Sequence, residues 1–170
     1  MAGYGLPNEQ HLSVVLQQSL EFDGHNIEII NGSVSGSTSA GGLNIAEWTL
    51  SENNIDLMIL CLGANDMLRG INPKETKNNL EEIIKIAKNK NIKVIIAGMI
   101  APTSYGFVYK KSFDKIFSDL SKKYKLQLIP FLLKGVAQKP EFNLSDGMHP
   151  NDQGTIIIGN TLKKAILENL

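Results

Sequence analysis

Cysteine is all but absent from these 170 residues: Cys61 stands alone, which excludes an intrachain disulfide framework and any cysteine-based zinc cluster. It is expected to pack as a small hydrophobe. Arginine is as scarce, since Arg69 is the one guanidinium among 17 Lys+Arg. Excess charge of either sign is lacking too, with 17 Asp+Glu in balance and a sequence pI of 6.8. That leaves no basic face for gripping a phosphate backbone or an anionic membrane, so nucleic acid is not expected as a partner. Long apolar runs are missing: residues 57–62 and 94–101 are the longest, far short of the ~20 that span a bilayer, and no membrane span is expected. The first ten residues carry neither the basic nor the apolar part of a secretory signal, so nothing in the chain as written exports it, and its compartment stays open. What remains is ordinary globular composition, 42% hydrophobic and about half apolar once glycine is counted, which excludes a disordered chain. One domain over residues 1–170, a monomer, is the expectation.

Short apolar segments alternate with stretches of helical period, the pattern of an α/β protein. Residues 26–30, 56–62, 92–98 and 126–129 read as buried strands, nearly continuous in apolar character as parallel strands are. Helices are predicted over 9–21, with Asn8 as cap and Leu12, Val15, Leu16 and Leu20 on one face, and over 73–90, capped by Asn72 with Pro73 in the first turn. Further helices are predicted over 39–50, 108–124 and 152–169, the last with Ile156, Ile157, Leu162 and Ile166 inward.

An order beginning with a helix is odd for a doubly wound parallel sheet, which opens with a central strand. In a 2-1-3-4-5 arrangement the first strand lies between the second and the third. Without it, the strands at 26–30 and 56–62 have no shared neighbour, and their backbone groups face a gap. The expectation is a flavodoxin-like three-layer doubly wound fold whose first central strand is missing from the chain as written.

Reactive groups in such folds sit on loops at the carboxyl ends of strands, and three loops stand out. Asn31-Gly32-Ser33-Val34-Ser35-Gly36-Ser37-Thr38 is a run of small residues whose N–H groups can approach a ligand closely at Gly36; it also reads as a plain turn and helix cap. Gly63-Ala64-Asn65-Asp66 places a carboxamide above a strand end, where Asn65 can donate to a developing oxyanion or merely end the strand in an Asx turn. Asp146-Gly147-Met148-His149-Pro150-Asn151 can fold into a tight turn in which Asp146 accepts the Nδ1–H of His149 and leaves Nε2 as a base; a surface turn is the plainer reading. His11 and His25 have no such context and are expected on the surface.

Taken together, these loops resemble the SGNH (GDSL) hydrolase family over nearly the whole chain. Val-Ser-Gly-Ser-Thr-Ser is similar to its second block, Leu-Gly-Ala-Asn-Asp-Met-Leu-Arg-Gly to its third, and Ser-Asp-Gly-Met-His-Pro-Asn to its fifth. The subgroup it resembles is the small bacterial arylesterase, lysophospholipase and thioesterase type. The resemblance implies a serine ester hydrolase acting on a small acyl ester or thioester, with no cofactor or metal. It implies Asp146 and His149 as acid and base of a triad, and Gly36 and Asn65 as oxyanion-hole donors. Loop 66–70 and segment 102–105 would line the acyl site, making Met67, Leu68 and Tyr105 candidate substrate contacts, with Phe107 beside them and core packing as their other reading. Arg69 is expected to anchor its loop through a bidentate carboxylate contact, the alternative being an anionic head group of the substrate.

The family's first block departs most. It runs Gly-Asp-Ser-Leu, one further residue, then commonly Ala-Gly-Tyr-Gly, and this chain begins Met1-Ala2-Gly3-Tyr4-Gly5. The nucleophilic serine is therefore expected two residues before Met1, in the same upstream stretch as the missing strand, where a signal for export to the periplasm would also lie. As written, the chain lacks its nucleophile and is expected to be inactive. A substitute among Ser33, Ser35, Ser37 and Ser39 is the remote alternative, with Ser37 expected to cap the next helix instead. The competing class is a non-catalytic SGNH-like domain that binds acyl or glycan ligands. A flavodoxin-like binding domain is disfavoured because the first loop has no phosphate fingerprint.

Overall fold

The computed structural model describes residues 3–51 and 54–169, which form two compact units. One comprises Gly36–Phe131; the other joins Met1–Ser35 to Leu132–Leu170.

Gly36–Phe131 is the α/β unit. Its helices and strands run α2 (Ser39–Thr49), β1 (Leu57–Leu60), α3 (Ala64–Leu68), α4 (Pro73–Asn89), β2 (Lys93–Ala97), α5 (Phe107–Tyr124) and β3 (Gln127–Ile129), after α1 (Leu12–Phe22) in the other unit. The three strands pair in parallel in the order β1-β2-β3. Four successive residues of central β2, Val94, Ile95, Ile96 and Ala97, are buried, which is why the segment reads as a continuous apolar run. α4 follows its local signals: the Asn72 side chain accepts from Lys74 N–H at 3.0 Å, Pro73 occupies the first turn, and Leu80, Ile83, Ile84 and Ala87 face inward. They join Phe113, Ile116, Phe117 and Leu120 of α5 in one core. Among the described residues β1 pairs on one side only.

In the second unit α1 packs against α6 (Asp152–Leu167), with Leu12, Leu16 and Leu20 buried on α1 and Ile158, Leu162, Ala165 and Ile166 on α6. Several expectations are corrected here. Residues 8–10 form a 3-10 turn, so the α-helix starts at Leu12 behind His11, and Asn8 does not cap it. On α6 the inward face is shifted: Ile156 is half exposed, and Ile158 is buried instead. His11 is partly buried, with Nε2 within 3.0 Å of the Leu6 carbonyl oxygen.

The strand expected at 26–30 is not formed. The segment is extended and alternates in exposure, with Ile27 and Ile29 turned inward, but no neighbouring strand pairs with it among the described residues. The Gln17 carboxamide takes one side of a ladder, donating to the Ile27 carbonyl at 2.6 Å and accepting from Ile29 N–H at 2.7 Å. Period two needs only side-chain patterning, whereas a strand needs a partner for its backbone.

Candidate active site

The Asp146–His149 turn closes as its spacing suggests. Gly147 sits at φ +67°, a left-handed conformation that lets the chain reverse within three residues. The backbone is pinned at both ends, with Gly147 N–H donating to Leu144 C=O at 2.9 Å and Leu144 N–H to His149 C=O at 2.7 Å. Asp146 Oδ1 accepts the N–H groups of Met148 and His149 at 2.8 and 3.0 Å, and Oδ2 lies 2.7 Å from His149 Nδ1. These contacts hold the Asp146 pKa down at about 2: the His149 N–H is the largest cause, then its imidazole, then the Met148 N–H. With Nδ1 committed to the carboxylate, Nε2 is the nitrogen left for proton transfer. Asn151 stops the turn by capping α6, its side chain accepting from Gly154 N–H at 2.9 Å. The Tyr4 ring lies against the imidazole, its centroid 4.4 Å away. Nothing in the sequence pointed to that contact.

In the α/β unit, Gly36 takes φ +73° on an exposed turn. Its carbonyl accepts from the Arg69 guanidinium at 2.9 Å, and the next carbonyl, that of Ser37, accepts from Asn65 Nδ2 at 3.1 Å. One amide hydrogen of Asn65 is thereby used to orient the group, and the second is left for another acceptor. Arg69 does anchor a loop, but through a main-chain carbonyl and not the carboxylate expected. The helix cap is corrected as well: Thr38 caps α2, accepting from Gly41 N–H, while Ser37 Oγ donates to the Thr38 carbonyl.

Asp66 is the residue whose role went unread. It is fully buried, and its carboxylate accepts from Ser39 N–H at 2.7 Å, from Ser39 Oγ and from Thr76 Oγ1 at 3.2 Å, while Asn79 Nδ2 donates to Ser39 Oγ at 3.0 Å. Ser39 is the first residue of α2, so the buried carboxyl group sits at a helix N-terminus, where backbone and hydroxyl donors meet it. The adjacency Asn65-Asp66 was the available signal, one residue aimed outward and the next inward. Ser39 is buried with its hydroxyl committed to Asp66, which removes it from the candidate nucleophiles.

The proposed acyl contacts divide. Met67 is buried in the core cluster, where packing accounts for it, whereas Leu68 is 44% exposed. Tyr105 is half buried and stacks on Tyr109 at 5.4 Å, which stacks on Phe113 at 6.0 Å; the Tyr109 hydroxyl donates to the Ile71 carbonyl at 3.0 Å. Phe107 is 78% exposed at the start of α5. Among the described residues no cluster of three His, Cys, Asp or Glu could hold a metal, and no helix is long and apolar enough to cross a membrane. Met1 and Ala2, the start of the first-block match, lie outside the described residues.

A parallel α/β sheet with an Asn-bearing loop after its first strand in one unit, and a closed Asp–His turn before the last helix in the other, are features of an α/β acyl hydrolase. The chain belongs to the GDSL-like lipase/acylhydrolase family, whose model matches residues 1–155, and it is an ester hydrolase by that membership. It is 34% identical over 169 residues to an arylesterase of Vibrio mimicus, across 99% of this chain and 84% of the relative. It is 31% identical over 138 residues to thioesterase 1/protease 1/lysophospholipase L1 of Escherichia coli strain K12, across 81% and 66%. The crystal structure of the psychrotrophic esterase EstA from Pseudoalteromonas sp., inhibited by monoethylphosphonate, matches with a TM-score of 0.93 at 29% identity, across 98% of this chain and 91% of that one.

Proposed function

We propose that this protein hydrolyses small carboxylic esters and thioesters by a serine mechanism, with His149 as general base and Asp146 as its orienting acid. Gly36 N–H and the Asn65 side chain serve as oxyanion donors, and the nucleophile is a serine preceding Met1. The serine Oγ attacks the acyl carbon while its proton passes to His149 Nε2, and Asp146 holds the imidazole in the tautomer that can accept it. Charge developing on the carbonyl oxygen meets the two preset donors. Collapse expels the alcohol or thiol, which takes the proton from His149; water then repeats the sequence, releasing the acid and restoring the serine. Leu68 and Tyr105 flank the acyl chain. The observation that carries this reading is the 2.7 Å contact between His149 Nδ1 and an Asp146 carboxylate fixed by two further N–H groups. The names of the relatives, arylesterase and thioesterase/lysophospholipase, support the ester and thioester substrate class.

Labelling with a fluorophosphonate tests it. The expected result is no label on the 170-residue chain, label on the chain extended through the residues preceding Met1, and loss of that label in His149→Ala. Label on the 170-residue chain would assign an internal serine instead. An extended chain that neither labels nor hydrolyses p-nitrophenyl esters would overturn the hydrolase reading in favour of a non-catalytic acyl-binding domain.

A further inference from the structure

Gly36 and Ser37 make no main-chain to main-chain hydrogen bond among the described residues. Their loop is held by side chains reaching from a single short element: Arg69, just past the end of α3, on the Gly36 carbonyl; Asn65 on the Ser37 carbonyl; and Asp66 on the Ser39 N–H. The three contacts fall at successive points of the loop and span 27 to 33 residues of sequence. Asn65 and Asp66 fasten the loop downstream of Gly36, and Arg69 is the contact made at Gly36 itself. Glycine at φ +73° has the widest freedom of any residue, so a tether on its carbonyl removes more motion there than it would elsewhere.

We infer that Arg69 is a positioning residue for the oxyanion hole. By holding the Gly36 carbonyl it restricts rotation about the glycine Cα and so presets the direction of the Gly36 N–H. The planar guanidinium suits this task, because it reaches the carbonyl from an exposed position with a fixed fork of donors, whereas an ammonium at that site offers a hydrated point charge. The inference rests on the proposed role of Gly36 as an oxyanion donor. Because Arg69 is exposed, its removal leaves the core of the unit untouched.

The test compares wild type, Arg69→Ala and Arg69→Lys in the chain bearing the proposed nucleophile. Two quantities are read: 15N relaxation order parameters of the Gly36 and Ser37 amides, and steady-state hydrolysis of p-nitrophenyl butyrate. In Arg69→Ala, the Gly36 order parameter should fall and kcat should fall about five- to tenfold at constant KM, the scale of one lost hydrogen bond expressed in the transition state. Arg69→Lys should recover part of the loss, and added methylguanidinium should raise kcat of Arg69→Ala but not of wild type. An unchanged Gly36 order parameter overturns the tether, whatever the activity. A variant with unchanged kcat and a raised KM confined to anionic esters overturns it in favour of a head-group contact. A lowered Gly36 order parameter in a protein that hydrolyses no ester upholds the tether and counts against the hydrolase reading.

Discussion

The Asp146 carboxylate collects three donors within one turn, and the consequence is acid resistance of that turn. Its pKa stands at about 2 in the folded chain against an ordinary 3.8, so the turn gains stability at every pH above about 3.8 and loses it as pH falls from there through about 2. The side-chain carboxyl 13C resonance of Asp146 should therefore pass its carboxyl titration near pH 2; a midpoint near 4 would show that the carboxylate is not so held. Asn65 invites a kinetic prediction. In the form bearing its nucleophile, Asn65→Ala should lower kcat by about 10² or more with little change in KM, as expected of a contact strengthened only in the transition state. An unchanged kcat would remove Asn65 from the mechanism. The Asp-x-x-His pair was readable because both ends of its interaction lie within four residues. The contact of Tyr4 with the same imidazole was not, since 145 positions of chain separate two rings that no local rule relates.

At the scale of elements, α3 is the informative case. Five residues long, it is too short to leave a periodic signal, yet it carries Asn65, Asp66 and Met67 and ends at Arg69. Asp66→Ala should destabilise the protein by about 1–3 kcal/mol, because the donors of Ser39 and Thr76 would be left buried without their acceptor. Urea unfolding followed by circular dichroism would measure it, and a loss below about 1 kcal/mol would mean the network closes without the carboxylate. Long helices were legible where capping and periodicity agreed, as at Asn72-Pro73. They slipped where several β-branched residues stood together, as in Ile156-Ile157-Ile158, since any of three neighbours can be assigned to the buried stripe. The segment at 26–30 failed for another reason: its alternation is present, but its hydrogen bonds go to the Gln17 side chain.

Across the whole molecule, the lone thiol offers a probe of global unfolding. Cys61 follows β1 and is partly buried, and burial pushes its pKa up, so little thiolate is present in the folded state at neutral pH. Alkylation by iodoacetamide at pH 8 should be markedly slower in the native protein than in urea, and its rate should follow the unfolding transition. Equal rates in both states would show the thiol open to solvent. Family membership belongs to this scale as well, because the match runs over residues 1–155 and not over one motif.

Composition, the alternation of apolar runs with helical stretches, the Asn72 cap and the Asp-x-x-His turn were determined by the sequence itself, because each depends on residues a few positions apart. Tertiary structure alone decided that Asp66 is a buried acceptor for Ser39, that Arg69 meets the Gly36 carbonyl, that Met67 packs inward, and that residues 26–30 lie extended with no pairing strand among the described residues. Such partners are chosen by the packing of helices and strands distant in the chain, and a side chain's donors and acceptors do not encode which remote backbone group that packing will bring within 3 Å.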